Sequence, residues 1–278
     1  MAKGFKKISK FDRNGRHDLG TAFDSYIEIH GLGLDIITST RRNSMQLRGL
    51  VSEVRQSVYA VLVEWERPPA NVPKVQALGT AFSVSSDGIF VTADHVVNPQ
   101  NNTPPGRAFG PNDKILLAQM QSDGCTASIV GPCQVLASSQ PHDYAILKLG
   151  TVAGRIQKYL EIDLASRFEG DEVAICGYPL ASTQTHPQNG AVTITMSIRV
   201  AAGIISSQQL QNNSKVLEVD FPILPGNSGG PLFHIRTGKV LGLAKATLSV
   251  GNGGGVTIGH LGQISDVRNL WSALKTHI

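Results

Sequence analysis

Short runs of β-branched and aromatic residues, each cut off by a turn, recur from Ser57 to about Gly259, and they constrain the fold more than any other feature of the chain. Residues 57–64, 79–84, 89–92, 114–120, 126–136 and 144–149 predict a first β unit over about 57–155. The runs 79–84 and 89–92 face each other across Ser85-Ser86-Asp87-Gly88, whose Asp-Gly pair is a hairpin signal. A second unit over about 165–262 has runs at 172–176, 192–200, 203–206 and 216–219, with three more after residue 228. Glycine is frequent, at 29 of 278 residues, and aromatics make up 6%. That balance favours an all-β architecture over a helical one. The length suffices for one large or two small domains with a sizeable core.

Leu47, Leu50, Val51 and Val54 repeat at helical spacing behind Ser44, a ready cap, and predict an amphipathic helix leading into the first unit. Ile264, Val267, Trp271 and Leu274 predict a closing helix over 264–275. Residues 1–46 form a basic N-terminal extension. Residues 1–50 hold nine Lys/Arg against five Asp/Glu, while the remainder balances at sixteen of each, so this segment carries the whole net charge of +4. A solvated tail is the simplest reading. The sharper one is a docking arm for nucleic acid, an acidic partner or a membrane surface, through which a regulatory partner or a second copy would bind; sparse aromatics with no RNA-binding motif favour the tail and weigh against nucleic acid.

Cys125, Cys133 and Cys176 are too few for a disulfide framework and read as buried or half-buried thiols; pairing of Cys125 with Cys133 across a hairpin stays open. No Cys/His cluster suggests a metal. Gly251 to Gly255 is followed by the strand-like Val256-Thr257-Ile258, not by the helix that a phosphate loop needs, so no cofactor is expected. Neither a signal peptide nor a membrane-spanning stretch is legible, and on that ground the expected location is cytoplasmic.

The chemistry-bearing segments are three. In Gly226-Asn227-Ser228-Gly229-Gly230-Pro231 a serine stands between small residues that leave room for a substrate carbonyl. The N–H groups of Gly226 and Ser228 are the candidate oxyanion donors. His95 lies in a short polar turn that ends the run Ile89 to Thr92, a position suited to a general base. Asp143 precedes the apolar run 144–149, where an acid can be buried and held. The order His, Asp, Ser is that of the chymotrypsin arrangement. The rival nucleophile elbow leads into a helix and has its Asp and His after the serine. Asp266 and His277 do follow, but residues 231–235 and 239–243 predict two strands about an Arg236-Thr237-Gly238 turn, which excludes that reading.

Thr92-Ala93-Asp94-His95-Val96-Val97, Asp143-Tyr144-Ala145-Ile146-Leu147-Lys148 and Gly226 to Gly230 resemble the His, Asp and Ser motifs of trypsin-like serine peptidases of the chymotrypsin fold. The resemblance is to the protease domain of the HtrA/Deg group, and it covers residue 50 to the C-terminus. It implies two six-stranded antiparallel β-barrels over 47–278, with an N-terminal helical extension and a C-terminal helix. It implies a serine endopeptidase acting on protein or peptide substrates through a Ser228-His95-Asp143 triad. An esterase and a catalytically silent binding module are the alternatives. With some fifty residues after Ser228, the PDZ domain common in that group is not expected within this sequence. The position six before the nucleophile, acidic in trypsin itself, is Pro222, and with Ile223, Ala246 and Thr247 it implies a pocket for small or aliphatic side chains. Substrate is expected to pair in extended form with an edge at 243–246. Between Tyr178 and Gly203 the chain looks longer than that group's usual connection, so 180–189 is expected as an inserted loop beside the cleft.

Overall fold

A computed structural model describes residues 47–68, 73–98, 109–121, 127–150, 156–185, 188, 192–251 and 257–278. The basic extension 1–46, Cys125, His186 and residues 252–255 of the glycine run lie outside the described residues. Residues 48–278 make one unit, distinct from 1–47.

Residues 48–54 are helical, as the spacing of Leu50, Val51 and Val54 predicts, and a 3-10 turn Arg55–Ser57 hands the chain to β1 (Val58–Glu64). The first barrel continues with β2 (Val75–Ser83), β3 (Ile89–Thr92), β4 (Lys114–Met120), β5 (Ala127–Ser139) and β6 (Tyr144–Leu149), and closes in the order β1-β2-β3-β6-β5-β4. Its β1 pairs antiparallel with both β2 and β4, so its backbone polar groups are used on two sides and its Val-rich side chains are buried. Tyr59 meets Phe90 edge-on at 5.1 Å in the core.

The second barrel contains β7 (Glu172–Gly177), β10 (Arg199–Gln211), β11 (Ser214–Val219), β12 (Pro231–His234), β13 (Val240–Gly251) and β14 (Thr257–Asp266), and closes in the order β10-β11-β14-β13-β12-β7. Val173, Ile175, Ile205, Leu217, Val219, Leu232 and Ile264 fill it. Between β7 and β10 a hairpin of β8 (Ser182–Thr185) and β9 (Val192–Thr195) stands apart as a two-stranded sheet. The predicted strand 192–200 is therefore two elements. Residues 192–195 pair only with β8, and Arg199 onward turns to pair with β7.

The connection between barrels is strapped to both. Leu160 N–H donates to Ser83 O (2.9 Å) on the first, while Asp163 N–H donates to Val240 O (2.8 Å) on the second. The predicted closing helix begins later than expected. Ile264 to Asp266 belong to β14, then a 3-10 turn Val267–Asn269 and one helical turn Trp271–Leu274 follow. Asp266 marks the change, because its carboxylate accepts from Arg268 N–H (2.8 Å) and so caps the turn.

Asp266 is completely buried and serves two guanidinium groups. Arg268 binds it bidentately, with Nη2 at 2.6 Å from Oδ2, and the buried Arg167 stands with Nε 3.6 Å away. Arg167 also donates to the carbonyls of Asp163, Ala165 and Leu241. Burial pulls the Arg167 guanidinium below its ordinary range and Asp266 opposes the pull. Removing one partner of a buried ion pair leaves an uncompensated charge. Asp266→Ala is therefore expected to lower stability by about 3–5 kcal/mol, measured as a shift of the urea midpoint at unchanged slope.

Candidate active site

His95 sits in a four-residue helix, Asp94–Val97, that follows β3 directly. Val96 and Val97 are buried beneath it, which fixes the turn and leaves the imidazole half-buried. Asp143 lies in the turn before β6 with φ 50°, a left-handed conformation that Asp tolerates better than most residues. That turn delivers the carboxylate to the imidazole. Nδ1 of His95 is 2.9 Å from Oδ1 and 3.1 Å from Oδ2 of Asp143, and the His95 N–H donates to Oδ1 at 3.2 Å. A carboxylate only accepts, so Nδ1 carries the proton and Nε2 is left as the acceptor. Asp94, the other acid beside the histidine, is occupied instead by the Asn98 side chain (2.7 Å).

Ser228 is half-buried between the barrels. Its hydroxyl donates to Lys245 O at 3.3 Å and makes no hydrogen bond to His95. Its backbone is docked on the first barrel, where Thr80 N–H donates to Ser228 O (2.8 Å). Gly229 packs beside the histidine turn. A Cβ there would overlap Thr80 O and Thr92 Oγ1 and lie 2.7 Å from Ala93 N, at a φ of +82°.

The peptide units around the nucleophile are aimed by their carbonyls. Pro225 O accepts from Leu180 N–H (3.0 Å) and Asn227 O accepts from Gly230 N–H (2.8 Å). In a trans peptide the N–H points opposite to the C=O, so Gly226 N–H and Ser228 N–H point away from those partners.

Beside Ser228 is a cavity of about 500 Å³ lined by Pro222, Ile223, Leu224, Pro225, Ala246 and Thr247. All four residues expected from the sequence are in its wall, and no charged side chain is. The Thr247 hydroxyl both accepts from Ile223 N–H and donates to Ile223 O, each at 2.7 Å, so its one donor is already used. Asp220 is elsewhere, accepting from Ile204 N–H (2.9 Å). Along one side of the site β12 pairs with β13 only as far as Leu243, so beyond that point β13 has β14 as its ladder partner. Ala244 is still held on that flank, its N–H donating to Gly230 O (2.9 Å) and its C=O accepting from Gly229 N–H (2.8 Å), so the predicted edge 243–246 is free only after Ala244. The inserted segment expected at 180–189 contains β8, which Thr183 ties to β2 through Val75 O.

A larger polar cleft of about 650 Å³ includes Ser52, Arg55, Gln56 and Lys158 in its wall, but none of His95, Asp143 and Ser228 lines it. Among the described residues no group of three or more His, Cys, Asp or Glu could hold a metal, and no helix is long and apolar enough to cross a membrane. Burial pushes the Cys133 and Cys176 thiols up to about 12, which keeps them protonated and unreactive near neutrality. Sequence reasoning missed Thr80, whose hydroxyl donates to Gly226 O (2.7 Å) and accepts from Tyr178 N–H (3.0 Å). The available signal was a Gly-Thr pair interrupting the apolar run of β2.

A family model described as a trypsin-like peptidase domain matches residues 79–243. Among curated proteins, the "Probable periplasmic serine endoprotease DegP-like" of Hahella chejuensis is 30% identical over 175 residues, 61% of this chain and 30% of that one. The protein of the same name in Ectopseudomonas mendocina is 27% identical over 205 residues, 71% of this chain and 35% of that one. The chain thus spans about a third of the length of these relatives. Among solved structures, "Crystal structure of Deg5" matches with a TM-score of 0.56 at 17% identity, covering 82% of this chain and 92% of that one. "HtrA-type protease AlgW with tripeptide" matches with a TM-score of 0.52 at 21% identity, covering 83% and 62%. At these identities the structural likeness establishes the fold. The relatives' names also correct the cytoplasmic expectation, since those proteins are periplasmic by name. The missing leader was weak ground for a compartment in a chain that spans a third of its relatives.

The tight fit at Gly229 gives a test of the docking. Gly229→Ala forces a side chain into the first barrel at a left-handed φ, and each fault alone costs about 1–3 kcal/mol. The variant is expected to melt well below the unaltered protein in a thermal scan.

Proposed function

Because the chain belongs to the trypsin-like peptidase domain family, we propose that it is a serine endopeptidase with Ser228 as nucleophile, His95 as base and Asp143 as the group that orients the base. The observation that carries this reading is the bifurcated contact of His95 Nδ1 with both oxygens of a buried carboxylate, on a turn packed against the nucleophile loop. The Ser228 proton leaves the Lys245 carbonyl for His95 Nε2 as Oγ attacks the substrate carbonyl. His95 then returns the proton to the leaving amine, and water repeats the cycle on the acyl-enzyme. Gly226 N–H and Ser228 N–H hold the oxyanion. The residue before the scissile bond enters the cavity walled by Pro222, Ile223, Ala246 and Thr247. That cavity offers a cation no counter-charge, so small and aliphatic side chains are favoured over Arg and Lys. The substrate is a protein or peptide, met in a compartment outside the cytoplasm as the relatives' names suggest. Control by a partner or by self-assembly would fall to the basic residues 1–46.

The Ser228–Lys245 hydrogen bond favours one rival, a binding module in which the hydroxyl stays parked and silent. Labelling with a fluorophosphonate separates the two. An adduct on Ser228, absent from Ser228→Ala, is expected, and no adduct on either protein would leave the silent module. Casein digestion is expected to fall on the order of 10⁶-fold in Ser228→Ala. An adduct without casein or peptide cleavage points to an esterase. Mapped cuts mainly after Arg or Lys would remove the pocket assignment.

A further inference from the structure

We propose that Thr80 is a positioning residue for the nucleophile loop, holding in register the peptide unit that presents Ser228 N–H to the oxyanion. The inference rests on the endopeptidase reading and assigns a role to a residue outside the triad and the pocket.

Thr80 is fully buried in β2, on the opposite barrel from Ser228. Three of its polar atoms are committed across the seam or beside it. Its N–H donates to Ser228 O at 2.8 Å, its hydroxyl donates to Gly226 O at 2.7 Å, and its own carbonyl accepts from Thr92 Oγ1 at 2.7 Å. The direction of the hydroxyl bond is forced. Oγ1 already accepts from Tyr178 N–H at 3.0 Å, so its single proton goes to Gly226 O.

The two Thr80 contacts bracket the nucleophile. The unit joining Gly226 to Asn227 and the unit joining Ser228 to Gly229 are both anchored to one residue. Between them lies the unit that carries Ser228 N–H. With both outer units held by Thr80, the middle unit can turn only about the line between the Asn227 and Ser228 Cα atoms, and that turn strips Asn227 O of its Gly230 N–H donor. Gly226, at φ +91°, and Gly229, at +82°, give the loop torsional freedom on either side of that unit, and Thr80 holds the carbonyl of the first. The same hydroxyl reaches the second oxyanion donor through Tyr178, because two residues on Leu180 N–H takes Pro225 O and so aims Gly226 N–H. Close approach is built in: a Cβ at Gly79 would lie 2.8 Å from Ser228 O, and one at Gly177 would lie 3.0 Å from Thr80 Oγ1.

A purely structural threonine and a positioning threonine differ in what its hydroxyl controls. Thr80→Val keeps shape and amide but loses the hydroxyl, and Thr80→Ser restores it. The probes are the p-nitrophenyl ester of an N-acyl alanine and a peptidyl boronic acid ending in the alanine analogue, which needs the oxyanion donors to bind tightly. Thr80→Val is expected to lose about 10- to 100-fold in kcat, less than the 10²–10³ typical of deleting an oxyanion donor outright. Its KM stays within about threefold, boronate affinity falls in parallel with kcat, and Thr80→Ser returns both to within about threefold of the unaltered protein. A folded valine variant with unchanged kcat overturns the proposal, as does a serine variant no better than valine. If valine does not fold, Thr80→Ala is judged by the same readouts, and failure of both to fold makes Thr80 structural. An inactive triad looks different: the unaltered protein would match Ser228→Ala on the ester and take no fluorophosphonate, and the role of Thr80 would fall with it.

Discussion

Two backbone carbonyls, those of Gly226 and Ser228, face a seam between apolar barrels, and a buried carbonyl without a donor is costly. Thr80 supplies both donors from the far side of the seam. Much else about the junction follows from that need. Gly79, Gly177 and Gly229 have no Cβ because the two backbones must approach closely enough for those bonds to form. Further polar links add to the closure. Ser265 Oγ donates to His142 O (2.6 Å), next to Asp143, and Met120 N–H donates to Tyr178 Oη (3.1 Å). The candidate catalytic groups therefore lie where directional bonds join the two barrels, and such bonds fix orientation as apolar packing does not.

The barrels and the site were unevenly legible in the sequence. Strands β4 and β6 show at full length because each has an unbroken apolar stretch, Ile115 to Ala118 and Tyr144 to Leu147, between turn-forming residues. His95 and Asp143 could be picked out by motif, but the left-handed turn that joins them could not, since no residue pattern announces a positive φ at an aspartate. Thr80 was missed for a simpler reason: the Gly-Thr break in its apolar run marks the position but not what it bonds to. Its partner Gly226 is 146 residues away, and a lone hydroxyl in a strand has no local signature.

The misjudged elements share one cause. Ile264, Val267, Trp271 and Leu274 satisfy a helical period, yet Ile264 meets the same burial requirement as a strand residue in the second barrel. Sparse apolar positions cannot choose between periods of 2 and 3.6 when an element changes type partway. The run 192–200 failed similarly. Every residue in it suits a strand, and only pairing with β8 on one side and β7 on the other reveals the break.

Beyond Ala244, β13 keeps β14 on one flank and has no ladder partner on the other among the described residues. A peptide laid along that flank would show alternate side chains to the protein and to solvent, because successive residues of a strand face opposite ways. In the endopeptidase proposed above, selectivity read from such a ladder would have a dyad rhythm, with every second residue upstream of the cut inspected and its neighbours ignored. Backbone pairing would supply the grip, and so a wide range of partly unfolded chains could be held while few of their bonds were suitably presented.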